Sequence, residues 1–142
     1  MAQSAVVRDY RVGRPAGAAE TWYRSTAMTA GELVRWQRDG YPRYHRSRGN
    51  LLIHVAAVPI FLLGSVGLLA SAVRLSWELG AASLVGMVAS MAAQGHGHRL
   101  EAVPPEPFTG PANALARIVL EQWVTFPRFL LSGGWSLAYR AG

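Results

Sequence analysis

No cysteine occurs among the 142 residues, so neither disulfides nor thiolate metal ligands are available. Lysine is absent as well. All 14 basic residues are arginine, set against 8 acids for a net charge of +6. Acids are sparse, and over residues 51–73 formal charge disappears altogether. No apolar core falls within the first ~30 residues, where a cleavable signal would carry it. A small basic chain invites a nucleic-acid reading. The hydrophobic content of 51%, gathered into long runs, assigns the charge to a membrane surface instead, and no nucleic-acid partner is expected.

Two apolar runs follow one another closely. Residues 51–73 (LLIHVAAVPIFLLGSVGLLASAV) are polar only at His54, Ser65 and Ser71. About 20 apolar residues cross a bilayer core, and Pro59 and the glycines are tolerated in such helices. Residues 77–93 (WELGAASLVGMVASMAA) are shorter and carry Glu78 at their entrance. Small residues recur there at Ala82, Gly86 and Ser90, and the first run offers Gly67 and Ser71 at the same spacing, which lets helix backbones approach closely. The expected fold is an all-α integral membrane protein: a transmembrane hairpin, spans 51–73 and 77–94, plus amphipathic or re-entrant C-terminal helices within 111–139. Residues 1–22 are expected to form a disordered tail, and 23–142 a single membrane-embedded helical domain. A short helix is expected within 29–46, ending near Gly40-Tyr41-Pro42 because proline disfavours helix in the residue before it.

Nine arginines (Arg8, Arg11, Arg14, Arg24, Arg35, Arg38, Arg43, Arg46 and Arg48) precede residue 51, whereas the loop between the runs holds only Arg74. The positive-inside rule puts the N-terminal segment on the cytoplasmic side, of a bacterial inner membrane, and the loop outside. A hairpin returns to its starting side, which gathers all four histidines at one membrane face. His45, Asn50 and His54 stand at the head of the first run; Gln94, His96, His98 and Glu101 stand at the tail of the second. Asn50 and His54 share a helix face, with His54 about 6 Å deeper. His45 would point away on a continuous helix, so a break at 47–50, capped by Ser47 or Asn50, is expected to fold it back. His96 and His98 diverge by about 200° on a regular helix, and Gly95 and Gly97 argue for an irregular turn.

Plainer readings stand beside these. A buried histidine can simply bond a carbonyl, and Glu101 can simply cap a helix. Arg117 and Glu121 read as a solvated i,i+4 ion pair. Trp123, Phe126, Phe129 and Trp135 read as interface anchors. Yet ionisable groups in membrane segments point to function, and imidazole suits iron, zinc, copper and nickel alike.

His45-xxxx-Asn50-xxx-His54-xxxx-Pro59 resembles the head of the first membrane helix in the fungal 2-hydroxy fatty acid dioxygenase family and its bacterial relatives. Gln94-Gly95-His96-Gly97, Glu101 and Pro104-Pro105 resemble the family's second motif, and the segment around Pro127 (IVLEQWVTFPRFLL) resembles its amphipathic one. The similarity covers residues 38–135. Two features depart from it. The family places its glutamate four residues after the histidine, whereas Glu101 lies five after His96 and three after His98. Fungal members have about four apolar segments, against two here plus the 111–139 stretch.

The resemblance implies an Fe(II)-dependent, non-haem dioxygenase of the bilayer that takes O2 and shortens a 2-hydroxy fatty acid by one carbon, releasing CO2. It implies His45, His54 and His96 as ligands with His98 as a fourth, and Asn50, Gln94 and Glu101 as the groups that orient them. Arg46 and Arg48 are candidates for carboxylate capture, since arginine binds that group bidentately. Two other classes fit the residues: a haem-binding electron carrier using His54 and His96, and a non-catalytic membrane scaffold.

Overall fold

The computed structural model describes residues 28–142; the tail expected at 1–22 lies outside the described residues. All regular structure among them is helical. Helix α1 (Ala30–Tyr44) opens on a capping box, in which Thr29 accepts from the Glu32 amide and Glu32 accepts from the Thr29 amide. It buries Leu33, Gln37 and Tyr41, an i, i+4, i+8 stripe. It does not stop at Gly40-Tyr41-Pro42 but runs on to Tyr44. Pro42 sits in the last turn, where its missing N–H leaves only the carbonyl of exposed Arg38 without a helical donor.

Helix α2 (Arg48–Arg74) and helix α3 (Trp77–His98) form an antiparallel hairpin. Leu75 takes a left-handed conformation at the turn (φ 52°), and the Ser76 hydroxyl caps α3 by accepting from the Leu79 amide. Asn50, Ala57, Gly64 and Ser71 are buried on α2, and Ser83, Ser90 and Gly97 on α3. Both sets repeat every seven residues, so the seam drifts only about 20° per repeat. The expected stripe Ala82, Gly86, Ser90 drifts about 40° per step of four. Accordingly Ala82 is exposed and Ser83 takes its place. Contact is close along the seam: a Cβ on Gly64 would stand 2.9 Å from the Ser83 carbonyl oxygen, and Ser90 donates to the Ala57 carbonyl at 2.7 Å.

Among the described residues α2 is the one helix long and apolar enough to cross a membrane. Only 33% of its most apolar stretch is buried. Leu63, Leu69 and Val73 on α2, and Val85 and Val88 on α3, face outward.

Helix α4 (Pro111–Leu120) passes through a π-helical turn (Glu121–Thr125) into α5 (Phe126–Leu131), and α6 (Gly134–Ala141) closes the chain. The wide turn ends as Phe126 donates to the Glu121 carbonyl, just before Pro127, which has no N–H and would crowd a regular α-turn. Phe126 and Phe129, expected as interface anchors, lie instead in the core with Tyr41, Leu51 and Val58. Trp135 packs against that cluster and donates to the Leu51 carbonyl, fixing α6 at the head of α2.

Candidate metal centre

His54 lies one turn inside α2 with no exposed surface. Its Nδ1 is 3.0 Å from the Asn50 carbonyl oxygen. The chain breaks between α1 and α2, and His45 turns back so that its own Nδ1 is 3.1 Å from the Tyr41 carbonyl oxygen. A carbonyl oxygen can only accept, so each Nδ1 carries the proton and each Nε2 presents a lone pair. Those two Nε2 atoms face each other at 3.3 Å. Neutral imidazoles aimed lone pair to lone pair repel, whereas a cation between them turns the repulsion into coordination.

Two further donors converge on the same point. The His98 ring centroid is 5.0 Å from that of His45 and from that of His54, and its Nδ1 is buried without a hydrogen-bond partner. Glu121 Oε1 stands 3.7 Å from His45 Nε2 and 3.9 Å from His54 Nε2. One donor atom from each of the four residues lies within 4.8 Å of the rest. Donors about 2.1 Å from a shared ion at the tetrahedral angle would be about 3.4 Å apart, close to the His45–His54 separation. The group therefore fits a divalent transition-metal ion with imidazole and carboxylate ligands.

Protonation agrees with this. Burial, then the neighbouring His54 and His98 rings, holds His45 well below its ordinary pKa, so it stays in the neutral form that ligates. Burial pushes Glu121 up to about 6, against the hydrogen bond from Tyr41 and the charge of Arg117.

The expected residues divide clearly. His45, His54 and His98 come together; His96, placed among the ligands, is exposed on α3 and is not a member of the group. No irregular turn separates the two histidines. Helix α3 runs regularly through His98. Gly97 serves the crossing instead, since a Cβ there would collide with Asn50 Oδ1. Asn50 orients His54 through its carbonyl and donates its amide to Glu101 at 2.6 Å. Glu101 also accepts from the Arg46 and Ser47 amides, so it caps α2 and clamps the tail of α3 to the head of α2. Gln94 forms a reciprocal amide pair with Gln122, with bonds of 3.1 and 2.7 Å, and donates to Ser90.

The sequence pointed to neither Glu121 nor Tyr41. Glu121 is not half of a solvated ion pair: Arg117 is itself buried and gives its NH groups to the Glu106 and Pro107 carbonyls. A signal for Glu121 was present in Pro127, six residues downstream, which makes a wide turn favourable where the carboxylate sits.

A cavity of about 660 Å³ opens onto His45, His98 and Glu121. Trp36, Met91, Phe108 and Ile118 contribute apolar wall, and its lining cations are Arg43 and Arg117. Arg46 and Arg48 do not line it. Arg46 is exposed, and Arg48 donates to the Tyr139 carbonyl and lies over the Tyr139 ring.

The described residues form an all-helical fold in which three histidines and one carboxylate, a group able to hold a metal ion, gather beside a largely apolar chamber. No family model, curated protein or solved structure matches the chain.

Proposed function

We propose that this protein is a bilayer-embedded, iron-dependent dioxygenase that shortens 2-hydroxy fatty acids by one carbon. The observation that carries the reading is the pair of opposed Nε2 lone pairs of His45 and His54, 3.3 Å apart, with His98 and Glu121 completing a donor set. Overall, a 2-hydroxy acid and O2 would give the acid one carbon shorter, CO2 and water. The C1–C2 bond breaks and O2 takes up the four electrons released. An Fe(II) ion bound by the four side chains would supply Lewis acidity and a site for O2. The chain's own groups do the rest. Tyr41 and Asn50 carbonyls fix the two imidazole tautomers, Tyr41 holds the Glu121 carboxylate, and Trp36, Met91, Phe108 and Ile118 offer an alkyl chain a dry wall.

In this reading both hairpin helices cross the bilayer. Helix α3 falls short of α2 in apolarity, but its 22 residues reach about 33 Å at 1.5 Å per residue, the length of a core of about 30 Å. Arg99, Arg117, Arg128 and Arg140 join Arg35, Arg38, Arg43, Arg46 and Arg48 on the side of the histidines, which the positive-inside rule makes cytoplasmic. The haem alternative required His54 and His96 to face one another, and His96 is exposed outside the group that contains His54. A scaffold role leaves the opposed lone pairs unexplained.

The test uses protein purified anaerobically in detergent. It should take up about one Fe(II) per chain and, once oxygenated, convert 2-hydroxyhexadecanoic acid to pentadecanoic acid. Hexadecanoic acid should be inert, because one carboxylate without a neighbouring hydroxyl leaves C2 unanchored. Recovery of the 2-hydroxy acid unchanged from iron-loaded protein, at several chain lengths, would overturn the substrate.

A further inference from the structure

Arg117 is a buried cation that no carboxylate among the described residues approaches within 4.0 Å, although the charges of Glu121 and Glu106 reach it through space. Its guanidinium carbon lies over two aromatic rings, 4.9 Å from the Trp36 centroid and 4.7 Å from the Phe108 centroid. Its NH1 and NH2 groups bond the carbonyls of Pro107 and Glu106, which fixes the guanidinium to the 106–107 loop. The Nε–H has no acceptor. Glu106 accepts from the Tyr44 hydroxyl and Glu121 from the Tyr41 hydroxyl. The Arg117 charge is balanced only at a distance, which favours a closer anion. The residue lines the cavity that reaches the metal centre, one helical turn before Glu121, or about 6 Å along the axis.

We propose that Arg117 is the acid anchor of the chamber: it binds the carboxylate of an amphipathic organic acid whose alkyl chain lies against Trp36, Met91, Phe108 and Ile118. This rests on the reading of the chamber as the substrate's, and it replaces Arg46 and Arg48, which stand outside. NH1 and NH2 each keep a second N–H beyond those given to Pro107 and Glu106. A charge-assisted bond from either would hold a carboxylate beside the metal donors, so that C2 rather than the far end of the chain is presented to them. The Trp36 and Phe108 rings keep the guanidinium from turning away when no ligand is bound.

The experiment uses chelator-stripped, full-length protein in detergent and a doxyl-labelled hexadecanoic acid, with its methyl ester as the uncharged partner. The pH is set above the acid's own titration, and binding is read from the immobilised EPR component. The acid should bind the parent more tightly than the ester by about tenfold or more, the scale of a charge-assisted hydrogen bond. Arg117→Gln should abolish that preference and Arg117→Lys should retain part of it. Arg128→Gln, at an exposed arginine away from the chamber, should leave it intact. Equal binding of acid and ester by the parent overturns the anchor whatever the variants do, and so does an undiminished preference in folded Arg117→Gln. Metal and the 2-hydroxyl are both absent from this measurement. Acid preference without turnover therefore keeps the anchor and removes the reaction, and turnover without acid preference does the reverse.

Discussion

Tyr41 meets two of the four donor residues through three separate groups. Its hydroxyl donates to Glu121 at 3.1 Å, its carbonyl takes the His45 Nδ1 proton, and its ring stacks on the His45 imidazole at 3.8 Å and 13°. Tyr41→Phe removes only the first of these. It should weaken metal binding about 10- to 100-fold, the usual effect of losing a partner that orients a ligand, in competition with a chelator of known affinity. Unchanged affinity would mean that Glu121 needs no such support. The same titration separates the two histidines at the end of α3. His98→Ala should lose most of its bound metal, whereas His96→Ala should match the parent, because His96 faces outward. The sequence identified the histidines as a group and placed three of the four cluster members at the correct end of the hairpin. It could not choose between His96 and His98, since the choice depends on how α3 is rotated about its axis. That rotation is set by Gly97 fitting against Asn50, a contact between residues 47 positions apart.

At the scale of the helices, the α2–α3 seam and the π-helical turn do most of the positioning. Gly64 is where side-chain volume is least tolerated. A Cβ there meets the Ser83 carbonyl oxygen at 2.9 Å and Met87 Cγ at 2.7 Å, and the backbone atom cannot swing away. Gly64→Leu should lower stability by about 1–3 kcal/mol and lower the thermal midpoint in detergent. Gly95→Ala, with nothing within 4 Å of the added methyl, should be neutral or stabilising by up to about 1 kcal/mol. If the two variants melt alike, the seam does not run through Gly64. The wide turn at 121–125 lies beyond helical periodicity. Arg117 and Glu121 remain one regular turn apart, since the Glu121 amide bonds the Arg117 carbonyl. What parts their side chains is the pair of carbonyls offered to Arg117 by the 106–107 loop and the hydroxyl offered to Glu121 by Tyr41.

At the scale of the whole molecule, the two ends of α2 should face different compartments. Helix α6 is tied to the head of α2 by Trp135 and by the bond from Arg48 to the Tyr139 carbonyl, whereas Arg74 lies at the far end. The chain has no cysteine, so single cysteines at Arg74 and Gly142 would be unique labels. Arg74→Cys should react with a membrane-impermeant maleimide on intact cells and Gly142→Cys only after lysis. The opposite pattern would invert the orientation. Composition and run length by themselves established the helical class, a long apolar helix at 51–73 and a polar, histidine-bearing end, because hydrophobic periodicity and charge distribution are local properties of the chain. The membership of the donor group, the burial of Arg117 in a chamber wall and the replacement of Arg46 and Arg48 as the lining cations arose from packing. Each depends on distances between segments 40 to 90 residues apart, and no local pattern encodes those until the helices have closed on one another.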